Sequence, residues 1–317
     1  MSEYAIEVRE LTKKYGSTLA VDQISFQVEK GEIFGLLGPN GAGKTTTIRV
    51  LTTLIPPTSG DVKVLGFNVV TEGHKIRSRI GVVQQQPSYE WHMAVKQSLE
   101  LYGVLWGVPR RERQHRIELL LEKFGLKDAQ HTKTSALSLG QLKRLQVARE
   151  FMHDAELLFL DEPTTALDPQ ARRVTLDFIR ERAQQGVTIF FTTHILQEAE
   201  QLCDRVAIID QGRILCVDTT QGIKSRFGGL HLLELEIEGE AKNLLQGLAA
   251  ITGIEEILEV PGKRNLLHVL TRNPVQILPG LMDFLRLQSG QQLKGLRLKE
   301  PTLEDVFIQL IVKESVR

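Results

Sequence analysis

The chain is nearly without cysteine: it has two, Cys203 and Cys216, among 317 residues. That excludes a disulfide-stapled scaffold and a cysteine-based metal site, and it fits a reducing compartment. It has no excess charge of either sign. Lys+Arg and Asp+Glu both number 39. The balance holds along the chain, with 10 basic and 12 acidic residues from His231 onward, leaving 29 and 27 before it. Neither part has the basic footprint of a nucleic-acid binder, so no nucleic-acid partner is expected. The densest basic stretch, Pro109 to Arg116, reads as the solvated start of a helix. Long hydrophobic runs are missing too. None approaches the roughly 18 apolar residues of a membrane span, so any solute pathway is expected in another chain. The first ten residues are charged throughout, with no apolar leader, and no signal peptide is expected. What is present is 42% hydrophobic residues, in a chain long enough for two domains.

Periodicity orders the chain. Residues 4–10 and 19–28 alternate and read as strands, and Ile33 to Leu37 is a short apolar run suited to a buried parallel strand. A helix is expected from the threonine run at Thr45, ending near Pro56-Pro57-Thr58-Ser59-Gly60. Residues 88–150 read as mostly helical. Buried strands are expected at 156–160 and 187–193, separated by a helix over 172–185, and a turn at Asp210 to Arg213 is flanked by Val206–Ile209 and Ile214–Val217. Strands alternating with helices predict an α/β core around a parallel sheet. Beyond Phe227-Gly228-Gly229 the pattern becomes strand 232–237, helix 241–250, a hairpin of 254–260 and 266–270, helix 275–287 and strand 292–298. That order is βαββαβ, a split or ferredoxin-like module. A last helix is expected after Pro301, with Thr302 as N-cap and Asp305 at its third position. The expected division is 1–228 and 229–317.

The chemistry concentrates in the first part. Gly38-Pro39-Asn40-Gly41-Ala42-Gly43-Lys44-Thr45 is a full G-x-x-x-x-G-K-[ST] match. Glycines let such a loop curl so that successive N–H groups face a phosphate at a helix start, where the dipole favours anions. Lys44 adds a mobile cation, and Thr45, followed by Thr46, offers a hydroxyl to Mg²⁺. Downstream, Leu157 to Leu160 runs into Asp161 and Glu162. A carboxylate at that strand end can hold Mg²⁺ through water, and its neighbour can act as general base on a water.

Together with Leu137-Ser138-Leu139-Gly140-Gln141, these segments resemble the ATP-binding-cassette (ABC) ATPases, over roughly residues 3–225. The resemblance implies a P-loop cassette with a parallel-sheet core, an antiparallel β subdomain and a helical subdomain. It implies ATP and Mg²⁺ as ligands, with Tyr15 stacking on adenine and Gly38 to Thr46 holding phosphate. Gln85, flanked by Gln84 and Gln86, aligns with the Q-loop glutamine, and His194, 32 residues after Glu162, with the switch histidine. Asp168 lies in the D-loop. Ser138, Gly140 and Gln141 would complete the site of an opposite subunit, and Leu139 stands where glycine is usual.

The implied machine is a dimer, with a second copy or a paralogue, closing around two ATP molecules and driving a transmembrane permease from the cytoplasmic face of the membrane. Three readings stay open: an exporter, an importer with a regulatory tail, and a soluble machine acting on ribosomes or DNA. The tail Glu300-Pro301-Thr302-Leu303-Glu304-Asp305-Val306-Phe307 resembles the ending of drug-, lipid- and polysaccharide-export ATPases of the daunorubicin-resistance type. That favours export. Trp91, Tyr102 and Trp106 suit either a docking groove for the membrane partner or the core.

Overall fold

A computed structural model describes residues 3–225, 231–238, 241–260, 262–287, 293–299 and 302–307. The chain divides into two units, Met1–Thr220 and Gln221–Arg317.

The first unit opens with the long antiparallel strands β1 (Tyr4–Tyr15) and β2 (Thr18–Glu29). β1 runs past the expected end at residue 10 because register shifts after Val8 let it bend and continue pairing as far as Tyr15. Next come β3 (Ile33–Leu37), α1 (Lys44–Leu51), β4 (Ser59–Val64), β5 (Phe67–Asn68), α2 (Gly73–Arg77) and β6 (Ile80–Val83). A helical stretch follows: α3 (Val95–Leu105), α4 (Arg110–Lys123) and α5 (Leu139–Glu150). The unit then alternates through β7 (Leu157–Asp161), α6 (Pro169–Gln184), β8 (Thr188–Thr193), α7 (Leu196–Leu202), β9 (Arg205–Asp210) and β10 (Arg213–Thr219), and α8 (Thr220–Ser225) crosses the unit boundary.

Two sheets result. One is antiparallel, in the order β2-β1-β4-β5. The other has the order β10-β9-β3-β8-β7-β6, parallel except at β10. β3, β7 and β8 are buried at every residue, which explains their apolar runs Ile33–Leu37, Leu157–Leu160 and Ile189–Phe191. The two sheets share a core in which Phe26, Phe34 and Phe190 stack with centroids 5.5–6.0 Å apart. β4 and β5 were not foreseen. Ser59 and Gly60 read as the end of the turn Pro56-Pro57-Thr58-Ser59-Gly60, but pairing with β1 makes Ser59–Asp61 strand.

The second unit carries β11 (His231–Ile237), α9 (Leu245–Ala249), β12 (Ile254–Glu259), β13 (Leu266–Thr271), α10 (Pro274–Leu287) and β14 (Leu293–Lys299). Its antiparallel sheet has the order β12-β13-β11-β14, and Leu233, Leu235, Leu267 and Val269 form a core with Ile277, Leu281 and Leu285 of α10. The helix expected over 241–250 is instead a 3-10 turn, Ala241–Leu244, followed by the short α9. Gly247 is a weak helix former, and its bare Cα lets the Phe284 ring approach where a Cβ would sit 2.2 Å from it. After β14, residues 303–307 are helical. Thr302 Oγ1 accepts from Asp305 N at 3.3 Å, and Asp305 Oδ2 accepts from Thr302 N at 2.8 Å. The expected cap is therefore formed, whereas Glu300 and Pro301, like the Phe227-Gly228-Gly229 junction, lie outside the described residues.

Candidate functional site

β3 delivers the phosphate loop and α1 receives it. Gly43 sits at φ 107°, in the left-handed region, directly before the helix. The loop is wedged between neighbours. A Cβ at Gly38 would meet the Ile209 carbonyl at 2.2 Å, and one at Gly43 the Ala20 carbonyl at 2.7 Å. Ala42 O accepts from Gly212 N at 3.0 Å, tying the loop to the β9–β10 turn. Asn40, Gly41 and Gly43 of the curl, with Thr45 and Thr46 at the start of α1, line one cavity.

Lys44 is buried, and its Nζ donates to Gly38 O at 2.7 Å and Pro39 O at 3.0 Å. Burial pushes its ammonium below the usual lysine range, opposed by the carboxylates of Glu162 and Asp161. Asp161 closes β7 and is fully engaged: Oδ2 accepts from Thr45 Oγ1 at 2.8 Å and Oδ1 from Thr192 Oγ1 at 2.6 Å.

Glu162 follows in the left-handed region, φ 47°, which costs a non-glycine residue about 1–3 kcal/mol. Its N–H is held by Thr192, at 3.1 Å from both the carbonyl and Oγ1. The turned backbone aims the carboxylate across the site. Oε1 lies 4.0 Å from Lys44 Nζ, and Oε2 lies 3.2 Å from His194 Nδ1 and accepts from Thr165 Oγ1 at 3.2 Å. His194, just past β8, is half exposed on the open side. A cavity of about 300 Å³ is lined by Ala20, Asn40, Gly41, Lys44, Thr45, Thr46, Gln85 and Glu162. Of the three consecutive glutamines, Gln85 is the one that lines it. Tyr15, exposed at the end of β1, lies under Lys13 Nζ at 5.4 Å.

The segment Ser138-Leu139-Gly140-Gln141 begins α5. Ser138 caps it: Ser138 Oγ accepts from Gln141 N at 3.2 Å, and Ser138 N donates to Gln141 Oε1 at 2.9 Å. Leu139 is exposed, and Gly140 passes close to Ala166 O, which a Cβ there would approach to 3.2 Å. Asp168 caps α6, accepting from Ala171 N at 2.9 Å, and that bond holds its carboxyl below the usual range. The structure therefore gathers Gly38–Thr46, Gln85, Asp161, Glu162 and His194 around one site. Ser138, Gly140, Gln141 and Asp168 act in this chain as helix-terminal residues.

Several site residues carried no sequence signal. Lys143, Gln146 and Arg149, one turn apart on α5, grip the segment after β6. Lys143 Nζ donates to Gln84 O at 2.8 Å and Gln85 O at 3.0 Å, and Gln146 Nε2 to Gln86 O at 3.1 Å. Arg149 bonds Ser88 O and pairs with Glu90 at 3.2 Å, its guanidinium 4.5 Å from the Tyr102 ring. Burial draws the Lys143 ammonium down to about 8 despite the nearby Asp161 and Glu162. Tyr102 is thus an inward aromatic. Trp106 stacks on His153 with centroids 3.8 Å apart, and Trp91 alone of the three is exposed.

Comparison with known proteins fits this geometry. Residues 21–165 match the family described as ABC transporter. The chain is 36% identical over 310 residues to a daunorubicin resistance ATP-binding protein of Streptomyces coeruleorubidus, covering 98% of this chain and 96% of that one. The chain belongs to the ABC transporter family. As the ATP-binding subunit of such a transporter it is an ABC ATPase. It is also 35% identical to Nod factor export ATP-binding protein I of Ralstonia nicotianae, covering 98% of this chain and 94% of that protein. A solved ATP-binding subunit of an ABC transporter superposes with a TM-score of 0.66 at 28% identity, over 71% of this chain and 93% of its own. No described helix is long and apolar enough to cross a membrane.

Proposed function

We propose that this ABC ATPase closes as a dimer around two Mg-ATP and powers export through a separate transmembrane subunit, which it meets at the cytoplasmic face of the membrane. The observation that carries the hydrolytic part is Glu162. Its buried carboxylate is held in a left-handed turn between Lys44 at 4.0 Å and His194 at 3.2 Å. From there it can take the proton of a water attacking the γ-phosphate, while Lys44 and the loop amides offset phosphate charge. Tyr15 would stack on adenine, and His194 would contact the γ-phosphate.

The donor set at Thr45, Asp161 and Gln85 is all oxygen, which fits a hard cation, and these residues would hold Mg²⁺. When bound, the metal supplies charge neutralisation on the β- and γ-phosphates. Ser138, Gly140, Gln141 and Asp168 would serve the site of the opposite subunit, with exposed Leu139 packing at that interface.

The cassette is taken as residues 1–228. Residues 229–317 are taken as a ferredoxin-like accessory module, a reading supported by the strand order β12-β13-β11-β14. Export is supported by similarity along nearly the whole chain to proteins named for drug resistance and Nod factor export.

The test uses tagged Glu162→Gln, expected to hold ATP without hydrolysing it. The variant is captured from detergent-solubilised native membranes with Mg-ATP. A multi-helix membrane protein without a solute-binding partner supports export. A permease with a binding protein moves the assignment to import, and ribosomal or DNA-repair components in place of any membrane protein overturn the transport reading.

A further inference from the structure

Glu198, in the first turn of α7, is 3% exposed and faces three separate segments of the site. Its Oε2 accepts from Thr164 Oγ1 at 2.9 Å and from Thr193 Oγ1 at 2.9 Å. Its Oε1 pairs with Arg172 Nε at 3.3 Å. Each partner adjoins a residue of the proposed machinery. Thr164 stands two positions after Glu162, Thr193 immediately precedes His194, and Arg172 lies in the first turn of α6, its N–H bonded to Asp168 O at 2.9 Å. The Thr193 hydroxyl also accepts from Ile195 N at 2.9 Å, so the turn that presents His194 is bracketed on both sides through one oxygen. Thr164 and Thr193 are each 1% exposed. Water cannot replace the carboxylate as their acceptor, so their hydroxyls specify where Glu198 must sit, and Glu198 where they must.

We propose that Glu198 is a positioning residue that fixes the Glu162 turn, the His194 turn and the Asp168 end of α6 against one another. It touches neither nucleotide nor attacking water. It acts by holding Glu162 and His194 at the 3.2 Å separation from which both address the γ-phosphate. Two turns anchored to one oxygen shift together, so Glu162 and His194 keep their spacing as the site opens and closes. The inference rests on the hydrolytic reading of Glu162.

The experiment compares Glu198→Ala, Glu198→Gln, Thr164→Val, Thr193→Val and the double valine variant with the wild-type chain. Each is assayed for ATP affinity by direct titration and for steady-state hydrolysis. A displaced catalytic pair predicts a kcat loss on the order of a hundredfold for Glu198→Ala with ATP affinity unchanged. Gln retains one carbonyl oxygen that can accept from both threonines, so Glu198→Gln recovers most of that loss. The two valine substitutions are non-additive, because either one frees the shared oxygen from its second partner. They keep the buried volume, and so decide the matter if Glu198→Ala does not fold. Equal loss of ATP affinity and kcat, additive valine effects on kcat, or a kcat unchanged in the double valine variant overturns the proposal. A wild-type chain that binds ATP but does not hydrolyse it overturns instead the hydrolytic reading beneath it.

Discussion

At the residue scale, one buried carboxyl outside the site reports its environment through pH. Glu150 Oε2 accepts from Val82 N at 3.0 Å, and burial raises its pKa from 4.5 to about 7. Between those values the folded chain keeps a proton the unfolded chain has lost, so its contribution makes stability fall as pH rises through the window. Glu150→Gln retains an acceptor for Val82 and carries no charge. It is expected to stabilise the chain by on the order of 3 kcal/mol above pH 7 and by little at pH 4, as measured by denaturant unfolding at both. His153 runs the opposite way. Burial depresses its pKa to about 4, so stability is lost as pH falls from 6.5 towards that value. The residues legible without a structure were those in consecutive motifs, such as Lys44 and Glu162, whose neighbours in sequence are also their neighbours in space. Lys143 lies 59 positions from the carbonyl it holds, and Glu198 34 from Thr164. Nothing local marks either one, since a lysine on a helix and a glutamate in a first turn are both at home on a surface.

At the element scale, α5 joins two jobs. Its N-terminus carries Ser138, Gly140 and Gln141, while its buried face, through Lys143, Gln146 and Arg149, fixes residues 84–88. Hydrogen bonds from a charged donor are worth about 1.5–3 kcal/mol each. Lys143→Met is therefore expected to destabilise the segment after β6 by about 2 kcal/mol or more while leaving β6 and β7 paired. Hydrogen exchange checks this, with faster exchange confined to residues 84–90. Exchange rising across the whole sheet would show a general core defect instead. Periodicity found the buried strands β3, β7 and β8 and the amphipathic helices, because their burial is uniform or one-sided. It did not find β4, whose Ser59-Gly60-Asp61 opening is made strand only by the partner β1, nor the tightening of Ala241–Leu244 into a 3-10 turn before α9.

At the scale of the whole molecule, every residue assigned to the nucleotide lies in the first unit, which has its own apolar core. A chain ending at residue 225 is expected to bind ATP with the full-length Kd, measured by titration. Transport with the membrane partner is the property expected to change. A weakened Kd would show that the second unit supports the site.

The phosphate loop has one further consequence. Gly38 and Gly43 are hemmed by the Ile209 and Ala20 carbonyls, and Ala42 is tied to Gly212, so the loop takes its shape from β9, β2 and the β9–β10 turn, which fold with it. Its chain entropy is lost during folding and not at the moment of binding. ATP should therefore meet a finished cradle. The loop backbone should be as ordered before nucleotide arrives as after it, read by NMR order parameters, and the entropy change of binding, read by calorimetry, should carry little ordering penalty from this segment.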